Sequence, residues 1–172
     1  MPRRRSAKPR SPASVQSASG CARKWQPDNT NVIVYRFDPR FPEKQAIATR
    51  LLREGIAADD LRMAHQSIVE FVAVVMRPVG KGARAASLLS QHEAVREAEE
   101  LMSQFPVLYP NDEVLRTALR GMGAYQLSWF DAHLWAYAEC HGLDELLSED
   151  FQHGRLYGRV RVRNPFLKKG FE

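Results

Sequence analysis

The stretch Leu127–Phe166, "LSWFDAHLWAYAECHGLDELLSEDFQHGRLYGRVRVRNPF", decides how the chain is read. A helix signal begins at about Phe130 and stops at Gly142. "DELLS" follows as a strand near Glu145–Ser148, and "GRVRVRN" as another near Arg159–Val162. Asp131 sits where the helix opens. Glu149 and Asp150 follow the first strand directly.

Upstream, the same alternation continues. "NVIVY" reads as a buried central strand, Val32 to Tyr35, with the polar cluster Asp28–Asn31 at its leading edge. "EKQAIATRLLREG" predicts a helix from Glu43 to Glu54, stopped by Gly55. Leu61–Ala64 is a short strand and Ile68–Arg77 a helix ended by Pro78. "GKGAR" is a loop, and "AASLLSQHEAVREAEELMSQ" a long amphipathic helix. "FPVLYP" is a strand, and "NDEVLRTALRGMGA" a helix capped by Asn111 or Asp112. Strands alternating with helices predict an α/β domain, with a central parallel sheet flanked by helices in three layers. There is no internal repeat.

The chain has 172 residues, 44% of them hydrophobic, enough for one domain with its own core. It holds no apolar run of membrane length. Two cysteines, Cys21 and Cys140, fit no metal or disulfide framework, which points to a reducing, cytoplasmic setting. The net charge of +5 is uneven. Residues 1–28 hold seven of the 25 Lys and Arg but one of the 20 acids, which leaves 18 bases against 19 acids in the rest. The basicity therefore belongs to a Pro/Ser-rich leader. Such a leader reads first as solvated and unordered, and secondarily as a non-specific phosphate contact. The expected division is a low-complexity leader over 1–28, a folded domain over 29–166 and a tail over 167–172.

In a parallel α/β sheet, ligands gather beyond the carboxyl ends of the strands. Glu70, Asp131, Glu149 and Asp150 fall there, from three separate segments. Clustered carboxylates repel one another, and a hard divalent cation is the simplest compensation. Each acid also has a plainer reading. Ser67-x-x-Glu70 and Ser128-x-x-Asp131 match the N-terminal capping device of a helix, and Asp150 can cap a turn before Gly154.

The segment Leu127–Phe166 resembles the C-terminal half of PIN-domain proteins, above all the VapC-type toxins of bacterial toxin–antitoxin pairs. The resemblance rests on the "LS-x-x-DA" helix start, the "LLSEDFQHG" strand exit and the closing "NPF". Asn29–Asp38 is similar to the family's opening strand, and Gln66–Phe71 to its second acidic segment. The resemblance implies a Mg²⁺- or Mn²⁺-dependent endoribonuclease, an RNA substrate, a cognate antitoxin and a homodimer. It carries the family's acids onto Glu70, Asp131 and Asp150, with Glu149 as an extra metal ligand and Asn31 and Ser148 as polar neighbours.

The departure lies at the opening. The family writes Asp-Thr-Asn-Val where this chain writes Asn29-Thr30-Asn31-Val32, so an amide stands at the first metal position. Asp28 is one residue off, and in a strand it points to the opposite face. Pro27 removes a ladder donor from the residues that precede. The pattern stopping at Asn29 implies a start replaced by a frame shift or recombination, or a degenerate toxin. Two functions follow from this: a ribonuclease, impaired or not, and a catalytically degenerate PIN domain that binds RNA or an antitoxin. A receiver-like or flavodoxin-like domain also gathers acids at strand ends, but the C-terminal motif speaks against it.

Overall fold

The computed structural model describes residues 30–80 and 86–167. The leader, Asn29, residues 81–85 of the "GKGAR" loop region and the last five residues of the tail lie outside them. The elements run α1 (Thr30–Tyr35), α2 (Pro42–Ala58), β1 (Met63–Ala64), α3 (His65–Val75), α4 (Gln91–Gln104) and β2 (Val107–Leu108). They continue as α5 (Asp112–Tyr125), α6 (Trp129–His141), β3 (Glu145–Leu147), β4 (Leu156–Tyr157) and β5 (Val160–Arg163). The α/β class and the alternation of strands with helices are as the sequence predicts.

The expected central strand "NVIVY" is instead the helix α1. A short, unbroken apolar run has no period of its own, so it fits a buried strand and a buried helix equally. Burial explains the outcome. Val32, Ile33 and Val34 are buried in succession, where a strand with one solvated face would alternate. Val32 packs with Ala48, Leu51 and Leu147. Ile33 and Val34 join a second cluster with Phe71, Val75 and Leu101. A six-residue, β-branched helix is marginal by itself. Core on several sides of it supplies what propensity does not.

Other boundaries shift for identifiable reasons. Helix α2 runs through Gly55 to Ala58 and ends at Asp59 in the left-handed region, φ 49°. Gly55 is a packing residue and not a stop, since a Cβ there would lie 2.7 Å from Leu61 Cβ. Helix α3 begins at His65, so Ser67 lies inside the helix, and the residue at the N-cap position is Ala64. Helix α4 begins only at Gln91, because Ser90 and Glu93 cap it reciprocally. Asn111 caps α5 through Val114 N–H. Helix α6 ends at Gly142, φ 72°.

The strands are short. β1 pairs parallel with β2, Met63 opposite Val107. β3 pairs parallel with β5, Glu145 opposite Arg161, and β4 adds an antiparallel edge that the sequence does not announce. The largest core cluster joins α5, α6 and the β3–β5–β4 sheet around Trp135, Tyr137, Leu146 and Val162. Trp135 Nε1 donates to the Tyr157 carbonyl at 2.8 Å. Its ring lies over Gly121, where a Cβ would come within 2.5 Å of it. After α1, the buried Asp38 accepts from Arg40 Nε at 2.7 Å, Nη2 at 2.5 Å and the Arg40 amide at 3.1 Å.

Three outcomes follow from this packing. Gly121→Ala should lower stability by about 1–3 kcal/mol, the cost of forcing a methyl into a filled contact, read as a lower midpoint in urea. Tyr137 is wholly buried, its hydroxyl has no hydrogen-bond partner among the described residues, and burial pushes its pKa up to about 12. Tyr137→Phe should therefore stabilise by about 1 kcal/mol, since it removes an unpaired buried hydroxyl; a lower melting temperature would contradict this. The Arg40 guanidinium holds the Asp38 carboxyl below its usual range. A depressed carboxyl stabilises the fold above its unfolded pKa and loses that contribution as pH falls through the folded one. Acid titration of the melting temperature below about pH 4 should be shallower in Asp38→Asn.

Candidate functional site: an acidic cleft between four elements

A cleft of about 350 Å³ is lined by Thr30 and Asn31 of α1, Glu70 of α3, Phe130, Asp131 and Leu134 of α6, and Asp150 after β3. Arg77 forms part of its wall. Three of the four acids expected at the strand ends thus share one cavity. Each arrives by a different local device. Glu70 lies in the second turn of α3, whose other face carries Ile68, Phe71 and Val75 into the core. Asp131 sits at the third position of α6. Ser128 caps that helix, accepting from the Asp131 amide at 3.2 Å and donating to Asp131 Oδ2 at 2.6 Å. Asp131 is therefore a capping residue and a cleft residue at once. Asp150 leaves β3 in a turn in which its amide donates to Ser148 Oγ at 3.1 Å. Ser148 itself is buried and supports the turn.

Neutral donors hold the carboxylates. Glu70 accepts from Thr30 Oγ1 at 2.6 Å on one oxygen and from Gln66 Nε2 at 2.7 Å on the other. Asp150 accepts from Asn31 Nδ2 at 3.0 Å. Asn31 thus lines the cleft and grips an acid. Burial pushes the Asp131 carboxyl up from its ordinary value, its hydrogen bond to Ser128 opposes this, and the charges of Asp150 and Glu70 push it further up. The three acids therefore sense one another across the cleft. Among the described residues, no three His, Cys, Asp or Glu side chains stand close enough to form a ready metal cage. Asn29 lies outside the described residues.

Glu149 belongs elsewhere. It is not in the cleft wall; it accepts from Tyr35 at 2.7 Å and pairs with Lys44 at 2.5 Å. The Lys44 ammonium also lies 4.3 Å from the centre of the Tyr35 ring and 5.2 Å from that of Phe166. The charge of Glu149 is thus met by Lys44 within the protein, and the side chain ties α2 and α1 to the turn that carries Asp150.

Gln66 is a site residue that the sequence did not reveal. It is buried on α3, one turn before Glu70. Its amide nitrogen reaches Glu70 and the Phe130 carbonyl, and its oxygen meets His133 Nδ1 at 2.7 Å. Since the Gln66 nitrogen is already donating, His133 Nδ1 carries the proton in this contact. Burial lowers the His133 pKa, against a smaller upward pull from Glu70. One amide thus joins the helix of Glu70 to the helix start of Asp131. The spacing Gln66–Glu70 is an i, i+4 pair, legible only once the helix is known to begin at His65.

Similar folds occur in a toxin–antitoxin complex from Klebsiella pneumoniae (17% identity, 83% of this chain and 98% of that one covered, TM-score 0.54). They occur also in DNA-bound VapBC from Salmonella typhimurium (11%, 83% and 98%, 0.57) and in FitAcB from Neisseria gonorrhoeae (17%, 83% and 97%, 0.55). No curated protein matches the chain. The model of the PIN domain matches residues 29–158, a span that takes in Glu70, Asp131 and Asp150. On that match, the chain belongs to the PIN-domain family.

Proposed function

We propose that this chain is a VapC-type toxin, an endoribonuclease that hydrolyses RNA phosphodiester bonds. The observation that carries this is the shared cleft: Glu70, Asp131 and Asp150 line one cavity, where burial and, after it, the charges of Asp150 and Glu70 raise the Asp131 pKa. A structural acid needs only a cap or an ion pair. Three acids from three elements, kept together against their repulsion, favour a positive ligand. One of the similar folds is a toxin–antitoxin complex, which supports a cognate antitoxin as partner. A homodimer follows from the family resemblance.

The donor set suits Mg²⁺ or Mn²⁺. Oxygen ligands alone face the cleft, and Mg²⁺ keeps several waters while taking one or two carboxylates, so a closed cage is unnecessary. Glu70, Asp131 and Asp150 would hold the ion. Bound there, it would supply an activated water and positive charge beside the scissile phosphate. The chain's own residues do the rest. Thr30 and Gln66 fix both oxygens of Glu70, Asn31 orients Asp150, and Ser128 aims Asp131. Glu149, neutralised by Lys44, positions the turn of Asp150 and is not a ligand in this reading.

The second reading, a degenerate PIN domain that binds RNA or antitoxin without cutting, is favoured by those same neutral donors. They satisfy Glu70 and Asp150 in part without a cation, and Asn29 brings no charge where the family has an acid. Cleavage of total RNA with Mg²⁺ separates the two. The unmodified chain should cut slowly, and Asp131→Asn should abolish cutting. Asn29→Asp should raise the rate roughly tenfold or more, the scale on which even supporting groups of a metal site act. Fast, Asp131-dependent cutting by the unmodified chain would show that the amide at position 29 suffices. No cutting by any of the three would leave the binding module.

Metal binding has a readout of its own. Mn²⁺ at a hundred times its dissociation constant should stabilise the fold by about 2.7 kcal/mol, seen as a higher melting temperature. Asp131→Asn should lose that shift, while Glu149→Gln should keep it at a lower starting stability. If Glu149→Gln loses the metal-dependent shift, Glu149 is a ligand after all. Gln66→Leu should weaken the Mn²⁺ shift by tenfold in apparent affinity, the usual weight of an outer hydrogen bond; an unchanged titration would make Gln66 a packing residue only.

A further inference from the structure

The described wall of the cleft includes a cation. Arg77 lines it together with Glu70, Asp131 and Asp150, yet forms no ion pair among the described residues. The same wall carries Phe130, a large aromatic with 61% of its surface exposed, next in sequence to Asp131. Its neighbour Trp129 is stacked on His133, with centroids 5.6 Å apart and planes 12° apart. Phe130 makes no such ring contact among the described residues. Its backbone is nonetheless fixed, because its carbonyl accepts from Gln66 at 3.2 Å.

An arginine beside carboxylates is ordinarily explained as their counter-charge, and an exposed phenylalanine as a contact with another protein. Neither explanation covers the pair. An arginine serving as counter-charge would sit within ion-pairing distance of a carboxylate, as Lys44 does with Glu149. The guanidinium at the rim is instead left to a ligand that brings its own negative charge into an acidic cleft. Nucleic acid does so at every residue, and it also carries flat rings that stack on exposed aromatics.

We infer that Arg77 and Phe130 form the substrate lip of the cleft: Arg77 takes a phosphate flanking the scissile bond, and the Phe130 ring stacks on an adjacent unpaired base. The assignment rests on the ribonuclease reading above and adds to it two residues that would touch the substrate, Arg77 and Phe130. A base within a duplex is already stacked on its neighbours and cannot reach Phe130 without being splayed out. Bases of every kind have a stackable face, so the lip selects for strandedness more than for sequence.

The test is binding without cleavage, with the full chain in EDTA. The probes are a short fluorescein-labelled single-stranded RNA and the same strand annealed to its complement. Fluorescence anisotropy is followed across a salt series for the parent, Arg77→Gln, Phe130→Ala and Phe130→Tyr. The basic leader is common to all four proteins, so its contribution cancels in the differences. The parent should prefer the single strand. Arg77→Gln should reduce the slope of log affinity against log salt by about 0.7, the value of one lost phosphate contact on a single strand. Phe130→Ala should weaken single-strand binding roughly tenfold with an unchanged slope, and Phe130→Tyr should restore it, as stacking requires. Both side chains are exposed, so melting temperatures should stay with the parent's and identify any misfolded variant.

An unchanged slope in Arg77→Gln, or equal affinities of Phe130→Ala and the parent, overturns the lip while leaving the ribonuclease reading intact if the parent still binds RNA. A parent that binds neither probe removes the ribonuclease reading itself. If the variants keep RNA binding but lose a co-purifying protein, the lip is a protein contact and the inference is wrong.

Discussion

Two adjacent residues on a six-residue helix hold the site together. Thr30 donates to Glu70 and Asn31 donates to Asp150, so neighbouring side chains of α1 reach acids that lie 80 residues apart in sequence. One turn later on the same helix, Tyr35 donates to Glu149, next to Asp150. The apolar side of α1 is equally committed, with Val32 against Leu147 and Ile33 among the residues of α3 and α4. A helix this short cannot hold its own shape. Its position is dictated by the two cores it separates, and it transmits that position to two carboxylates. The geometry of the cleft is therefore a consequence of core packing, so a cavity in either core would reach the acids.

This arrangement explains how three carboxylates tolerate one cavity. Neutral hydroxyl and amide donors satisfy lone pairs without cancelling charge. They fix where the oxygens they meet point, and they bring no positive charge themselves. Glu149 shows the alternative treatment. Its partner is an ammonium held at 2.5 Å and flanked by aromatic rings, so its charge is met inside the protein. The contrast between consecutive residues, Glu149 met by an ammonium and Asp150 held by the Asn31 amide, tells the two acids apart more sharply than either sequence position does. It also gives Arg77 its meaning, since a cation in the same wall that answers none of these charges is set for something that comes from outside.

Legibility in the sequence follows the same division. Elements with a clear period or a cap were readable. Helix α6 begins behind Ser128 and ends at Gly142, as expected, and α5 begins behind Asn111. The acids Glu70, Asp131 and Asp150 were readable because strand exits and helix starts are where a sheet of this class gathers ligands. Helix α1 was not readable, because Val32, Ile33 and Val34 are buried in succession, and a run without polar residues carries no phase. The start of α3 was misplaced for a related reason. Ser67 and Glu70 have the spacing of a cap, yet Ser67 is buried inside the helix. That error hid Gln66, whose contact with Glu70 depends on both residues sharing a helix face. Glu149 and Asp150 are alike in sequence, and only the position of Lys44, some hundred residues earlier, tells them apart.

The amide at position 29 acquires its weight from this frame. With Thr30 and Asn31 already spent on Glu70 and Asp150, the polar start of α1 brings hydrogen bonds to the cleft but no charge. A carboxylate one residue earlier would add the negative charge that neutral donors cannot, and charge-assisted contacts are roughly twice as strong as neutral ones. The described hydrogen bonds that aim Glu70 and Asp131 come from Thr30, Gln66 and Ser128, so neutral groups set where these two acids point. Positioning and charge are separable properties of this cleft, and the neutral donors of α1 supply the first without the second.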